Sequence, residues 1–217
     1  GGNASSKYIT RRVVLEEGQD AEDLQVFLDA QIPTNASIKV YAKLLNAADP
    51  GDFQEDISWQ EMVADKTPAE NSPESFAEYS FKIPAKSNGW GTQSSNSDIF
   101  EYDVTGIPSI SVTGAGSGYG SAVVNITGGG GYGAKAKATI SSGGISAITV
   151  TDPGRGYTST PTVTITGDGS SATATAAAPT TTTFRGFKVY AIKIVPLSST
   201  TVDCPKFKDV RAIALQV

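Results

Sequence analysis

ISVTGAGSGYGSAVVNITG at residues 110–128 and ITVTDPGRGYTSTPTVTITG at residues 148–167 are two near-copies of one glycine-rich motif. Ile110 matches Ile148, Gly116-Ser117-Gly118-Tyr119 matches Gly154-Arg155-Gly156-Tyr157, and Ile-Thr-Gly closes both copies. The spacing is 38 residues up to the tyrosine and 39 at the closing glycine, so the second copy has gained one residue. Each copy runs into an alanine-alternating tail, Ala134-Lys135-Ala136-Lys137-Ala138 and Ala172-Thr173-Ala174-Thr175-Ala176. Self-similarity at a fixed spacing marks a duplicated supersecondary unit. Between the copies, Thr139 to Ile148 places two strand segments around Ser-Gly-Gly, the pattern of a hairpin.

Composition separates this centre from its flanks. Fifteen of the 23 glycines lie between Ile107 and Ala178, together with three aromatic residues, Tyr119, Tyr132 and Tyr157. That window carries a net charge of +1 and the remainder −6, a contrast expected of separately built units. The flanks read as strands. Leu24 to Ala30 alternates apolar and polar residues, and Ser37 to Leu45 does the same with Ile38, Val40, Ala42 and Leu44 inward and Lys39 and Lys43 outward. Tyr8 to Leu15, Phe76 to Ile83, Ile99 to Val104, Phe184 to Val195 and Val210 to Val217 add further strands. Turn residues separate them, as in Asp49-Pro50-Gly51-Asp52 and Ser87-Asn88-Gly89. Only Asp56 to Ala64 and Glu16 to Asp23 have room for a helical turn or two.

These readings predict an all-β chain: an antiparallel, jelly-roll-like β-sandwich carrying an inserted small β-repeat domain. Residues 8–105 and 180–217 form the expected host, and residues 106–179 the insert. Residues 1–7, beginning Gly1-Gly2-Asn3, read as a linker or cloning scar, and the chain as a fragment of a longer protein. A single cysteine, Cys204, precludes an internal disulfide. No run approaches the roughly 18 apolar residues of a membrane-spanning helix. The acidic balance argues against nucleic acid and anionic membrane as partners.

The host segments YITRRVVLEEGQDAEDLQVFLDAQIP (8–33), ASIKVYAKLL (36–45), DFQEDISWQEM (52–62), FKVYAIKIVPLSS (187–199) and VDCPKFKDVRAIAL (202–215) resemble a domain of tail and baseplate proteins of contractile-tailed phages, above all those infecting marine cyanobacteria. The GSGY and PTVTITG wording is similar to repeats found in phage tail-fibre proteins. The resemblance implies a non-enzymatic virion protein, exposed outside the host cell, that assembles with other tail subunits and with copies of itself. It implies possible attachment to a host cell-surface glycan or protein, and supplies no catalytic residues.

The search for chemistry agrees with that expectation. Without histidine there is neither a Ser-His-Asp nor a Cys-His pair, and Cys204 reads as an inert thiol. The glycine runs lack the Gly-Lys-Ser/Thr ending of a phosphate loop and read as turns. Asp49, Asp52, Glu55 and Asp56 depart from the EF-hand pattern and read as a solvated acidic turn. Neither Glu16/Glu17 nor Asp20/Asp23 stands out as a catalytic carboxylate pair. No cofactor or metal is expected.

Binding is the remaining possibility. Tyr119 and Tyr157, in equivalent positions, have two open roles: stacking on a sugar or partner surface, or filling the core of an insert that has no Phe or Trp. The second is favoured. Tyr132 follows the glycine run, and Arg155, between two glycines, is the expected exposed contact. Trp90, in the loop Asn88-Gly89-Trp90-Gly91, is a further candidate, whereas Trp59 reads as a core anchor of the host. A carbohydrate-binding or receptor-binding adhesin module is the alternative function.

Overall fold

The computed structural model describes residues 6–66, 74–84, 92–93, 99–200 and 202–216. The chain is all-β, built from antiparallel pairs, with no helix among the described residues. It divides into two compact units, residues 1–102 with 184–217, and residues 103–183.

The first part of the chain supplies β1 (Tyr8–Ile9), β2 (Val13–Val14), β3 (Asp23–Gln31), β4 (Ala36–Leu45) and β5 (Gln60–Glu61). It continues with β6 (Val63–Lys66), β7 (Ala77–Lys82), β8 (Thr92–Gln93) and β9 (Phe100–Gly106). The repeats form β10 (Ile110–Ser117), β11 (Ala122–Thr127), β12 (Lys135–Ser141), β13 (Gly144–Asp152), β14 (Thr162–Gly167) and β15 (Ser170–Ala176). The chain ends with β16 (Thr180–Arg185), β17 (Val189–Ser198) and β18 (Lys206–Leu215).

In the discontinuous unit, one sheet runs β1-β17-β4-β5, with β2 also on β17, and another runs β18-β3-β7-β6. Inward residues of both sheets share one core: Leu24, Val26 and Leu28 of β3 meet Val40 of β4 and Ile192 and Ile194 of β17. The consecutive strands β3 and β4 lie in different sheets, and so do β17 and β18; β4 pairs with β17 and β3 with β18. One antiparallel ribbon therefore wraps from sheet to sheet, which is jelly-roll winding. The alternation in β3 and β4 sets this register, because a one-residue slip would expose every core side chain.

Three expectations are corrected here. Asp56 to Ala64 and Glu16 to Asp23 form no helix. Asp52 Oδ1 accepts the amides of Gln54 (2.7 Å) and Glu55 (3.0 Å) and caps a single turn, but from Gln60 onward the chain pairs in the sheets as β5 and β6, with Met62 N donating to Val40 O (2.8 Å) and its side chain in the sandwich core. Gly18, at φ +76°, breaks the other stretch. Lys43 is not outward in solvent but 6% exposed. It points away from the core yet lies beneath Phe53 and Trp59, donating to the carbonyls of Phe53 (3.3 Å) and Gln54 (2.9 Å). Burial holds its pKa below the ordinary lysine value. Trp59 does not enter the main core; half-buried, it packs in this satellite cluster with Leu45 and Ala191.

The unit of residues 103–183 is two-fold in its pairing. Ile110 pairs with Ala176 and Val112 with Ala174; 38 residues on, Ile148 pairs with Ala138 and Val150 with Ala136. Each copy's first strand thus pairs with the other copy's tail. The middle strands β11 and β14, counterparts of one another, pair directly, with Asn125 opposite its own counterpart Thr164. Reciprocal pairing of this kind is what a two-fold relation between copies demands. The expected hairpin joins β12 to β13 through Ser142-Gly143, both at positive φ (51° and 76°), as a type I′ turn requires.

Candidate functional site

The frame of the repeat unit is built from tyrosine on glycine. Tyr119 and Tyr157 are 5% and 4% exposed and sit in the core with Ile107, Ile110, Ile145 and Ile148. A Cβ on Gly131 would lie 2.5 Å from the Tyr157 ring, and one on Gly169 would lie 2.5 Å from the Tyr119 ring. Gly131 and Gly169 are themselves 38 residues apart, so each copy's tyrosine covers the other copy's glycine. Any side chain there would displace a ring from the core. These two tyrosines are framework, and neither ring is available for a ligand.

Tyr132 and Arg155 have the opposite character. They form an isolated antiparallel bridge, with Tyr132 N donating to Arg155 O (3.0 Å) and Arg155 N to Tyr132 O (2.9 Å). Residues directly opposed in such a pair project their side chains from the same face, about 5 Å apart at Cβ. Tyr132 is 54% exposed and Arg155 half-buried. Glycines flank both: a Cβ at Gly156 would meet nothing within 4 Å, and one at Gly133 only the Gly154 Cα at 3.8 Å. Asp152 Oδ1 accepts the Gly154 amide (2.9 Å) and so braces the turn that carries Arg155. Two residues distant in sequence are brought side by side on one face. Trp90 lies outside the described residues.

The duplicated frame contains its own control. The counterparts of Tyr132 and Arg155, 38 residues away, are Ser170 and Ser117. They occupy the same place in the frame, paired with one another in β15 and β10. The bridge therefore forms with two serines at one end and with tyrosine and arginine at the other. Gly130 and Asp168 differ in the same way. Asp168 Oδ1 accepts the amides of Gly120 (2.9 Å) and Ser121 (2.8 Å), and the bonds from Ser121 and Gly120 hold its pKa below the ordinary carboxylate value. At the Tyr132 end, Gly129 O instead accepts the amides of Thr158 (2.9 Å) and Ser159 (3.2 Å).

The aspartates expected in an acidic turn have structural partners. Asp49 accepts the Tyr102 hydroxyl (2.7 Å) and the Gly51 amide (2.9 Å), and Asp56 accepts the Asp52 amide (2.7 Å). The aspartates of the acidic run are thus spent on holding turns and the Tyr102 hydroxyl. On the outer face of β4 and β17, the Lys193 ammonium stands 4.3 Å from the Tyr41 ring centroid and 5.0 Å from that of Trp59. Burial, then Lys7 and Lys43, lowers the Lys193 pKa. This lysine–aromatic layer was not anticipated; its only sequence signal is the spacing of Tyr41, Lys43 and Trp59 across two segments. Comparisons with protein-family models, with curated proteins and with solved structures find no match for this chain.

Proposed function

We propose that the chain is a non-enzymatic structural component of a contractile phage tail, belonging to its baseplate or a tail fibre. The observation that carries this reading is where the tail-like wording falls in the fold. ASIKVYAKLL is β4, FKVYAIKIVPLSS contains β17, and the stretches around Leu24 and Val210 contain β3 and β18. Those four strands make the ribbon that winds between the sheets. The resemblance thus lies in the folding core of the unit and not in one surface motif. A sandwich of this kind serves as a docking block for neighbouring subunits. Gold-labelled antibody against the chain, applied to purified particles of the phage that encodes it, is expected to decorate the tail. Its absence from purified particles by label and by mass spectrometry would overturn the assignment.

The second reading is a receptor- or carbohydrate-binding adhesin module. The Tyr132–Arg155 bridge favours it, because both side chains stand on a surface whose frame is complete without them.

A further inference from the structure

The turn at Ser142-Gly143 divides the strand pairing of this chain completely. Among the described residues, every strand after it pairs only with strands before it: β13 with β12, β14 with β11, β15 with β10, β16 with β9, β17 with β1, β2 and β4, and β18 with β3. No two of β13 to β18 pair with each other. The chain is folded back on itself as one long hairpin, and its tip is a two-residue turn. Packing follows the same division. Tyr119 covers Gly169, and in the sandwich Val40 shares a core with Ile192 and Ile194.

We propose that this chain joins a second copy of itself by exchanging residues 144–217 about the Ser142-Gly143 turn. The second copy offers the same strands and the same apolar faces as the chain's own C-terminal segment, so the exchanged pair keeps the ladders and the buried contacts of the closed form. What it gives up is the turn. That turn is a weak latch: both residues are held at positive φ (51° and 76°), a conformation that serine adopts poorly. With the turn extended, β12 and β13 run on as one strand through Ser141 and Ser142, both exposed. Closed and exchanged forms bury the same surface, so chain concentration during folding selects between them. Only a second copy supplies this register along every strand. Exchange of this kind goes beyond both functional readings and depends on neither.

The test uses the full chain with Cys204→Ser and a reporter pair, Asn125→Cys and Thr164→Cys. These positions are directly opposed in the β11–β14 ladder, where Cα atoms lie about 4.5–5.5 Å apart, within reach of a disulfide. The closed chain forms this bond within itself. The exchanged pair forms it between chains and survives a denaturing gel without reductant. The chain is refolded from urea at about 10 µM or about 1 mM, then diluted to about 1 µM before oxidation so that separate molecules are not linked. The interchain-bonded dimer should be at least about tenfold more abundant after refolding at the higher concentration. Ser142→Pro with Gly143→Pro, which bars positive φ, should make that dimer the main folded species at either concentration. Ser142→Asn, which suits the turn, should lower it severalfold. Absence of the interchain bond after refolding at the higher concentration overturns the exchange, and so does a folded monomer of the double-proline variant. A double-proline dimer whose disulfides stay within each chain is a surface association and overturns it as well. If the double-proline variant does not fold, the chain with its own turn, refolded at the two concentrations, decides.

Discussion

Gly131 and Gly169 are two positions of the repeat unit that admit no side chain. Each lies under a tyrosine ring with no room for a methyl group. Gly131→Ala and Gly169→Ala are expected to destabilise residues 103–183 by about 1–3 kcal/mol each, the usual cost of overpacking a filled core. Differential scanning calorimetry checks this; an unchanged transition would contradict the ring-on-glycine packing. Asp168 acts through a different force. Its pKa is depressed in the folded state, so its stabilisation is complete above the unfolded carboxylate value and fades as pH falls through the lower folded value. Asp168→Asn should therefore flatten the acid side of the unit's stability profile, from about pH 4 downward. A profile that keeps its full acid slope in the variant would show that other carboxylates set it.

At the scale of elements, local sequence and packing agree in the hairpin and disagree in the segment after β4. The β12–β13 turn needs two residues at positive φ, and Ser142 is a poor occupant of the first position. Ser142→Asn should stabilise the unit by a few tenths of a kcal/mol to about 1 kcal/mol, raising its unfolding temperature by a few degrees. A lower unfolding temperature would contradict the turn type. Asp56 to Ala64 shows the opposite case. Its spacing permits a helix, but the pairing of β5 with β4 and of β6 with β7, and the burial of Met62 in the sandwich, override that weak preference. Lys43 was legible as the outward member of an alternating strand, and it does point out of the core. Phe53 and Trp59 then cover it from a loop, and alternation within one strand carries no information about such a lid.

At the scale of the molecule, the repeats enter and leave through neighbours. β9 leads in, β16 leads out, and the two strands pair, with the hydroxyls of Thr105 and Thr181 2.8 Å apart. Closely spaced ends make an insertion tolerable, because little chain entropy is lost in closing the gap. Excising residues 106–179 and joining the strands through an Asn-Gly turn should leave a protein with one cooperative unfolding transition. If urea titration gives a broad, non-cooperative melt, the repeats are part of the folding unit of the sandwich.

The sequence by itself determined the all-β class, the alternating strands β3 and β4, the hairpin, and the interior role of Tyr119 and Tyr157. These follow from periodicity, turn chemistry and a shortage of other large side chains, all of them local or compositional properties. The two-fold exchange of strands between copies, the lid over Lys43 and the meeting of Tyr132 with Arg155 were decided only by the tertiary structure. Tyr132 and Arg155 stand 23 positions apart with no shared motif, in copies whose pairing partners are set by long-range β registry. Registry depends on how whole strands bury their apolar faces against one another, a condition that no single segment of sequence contains.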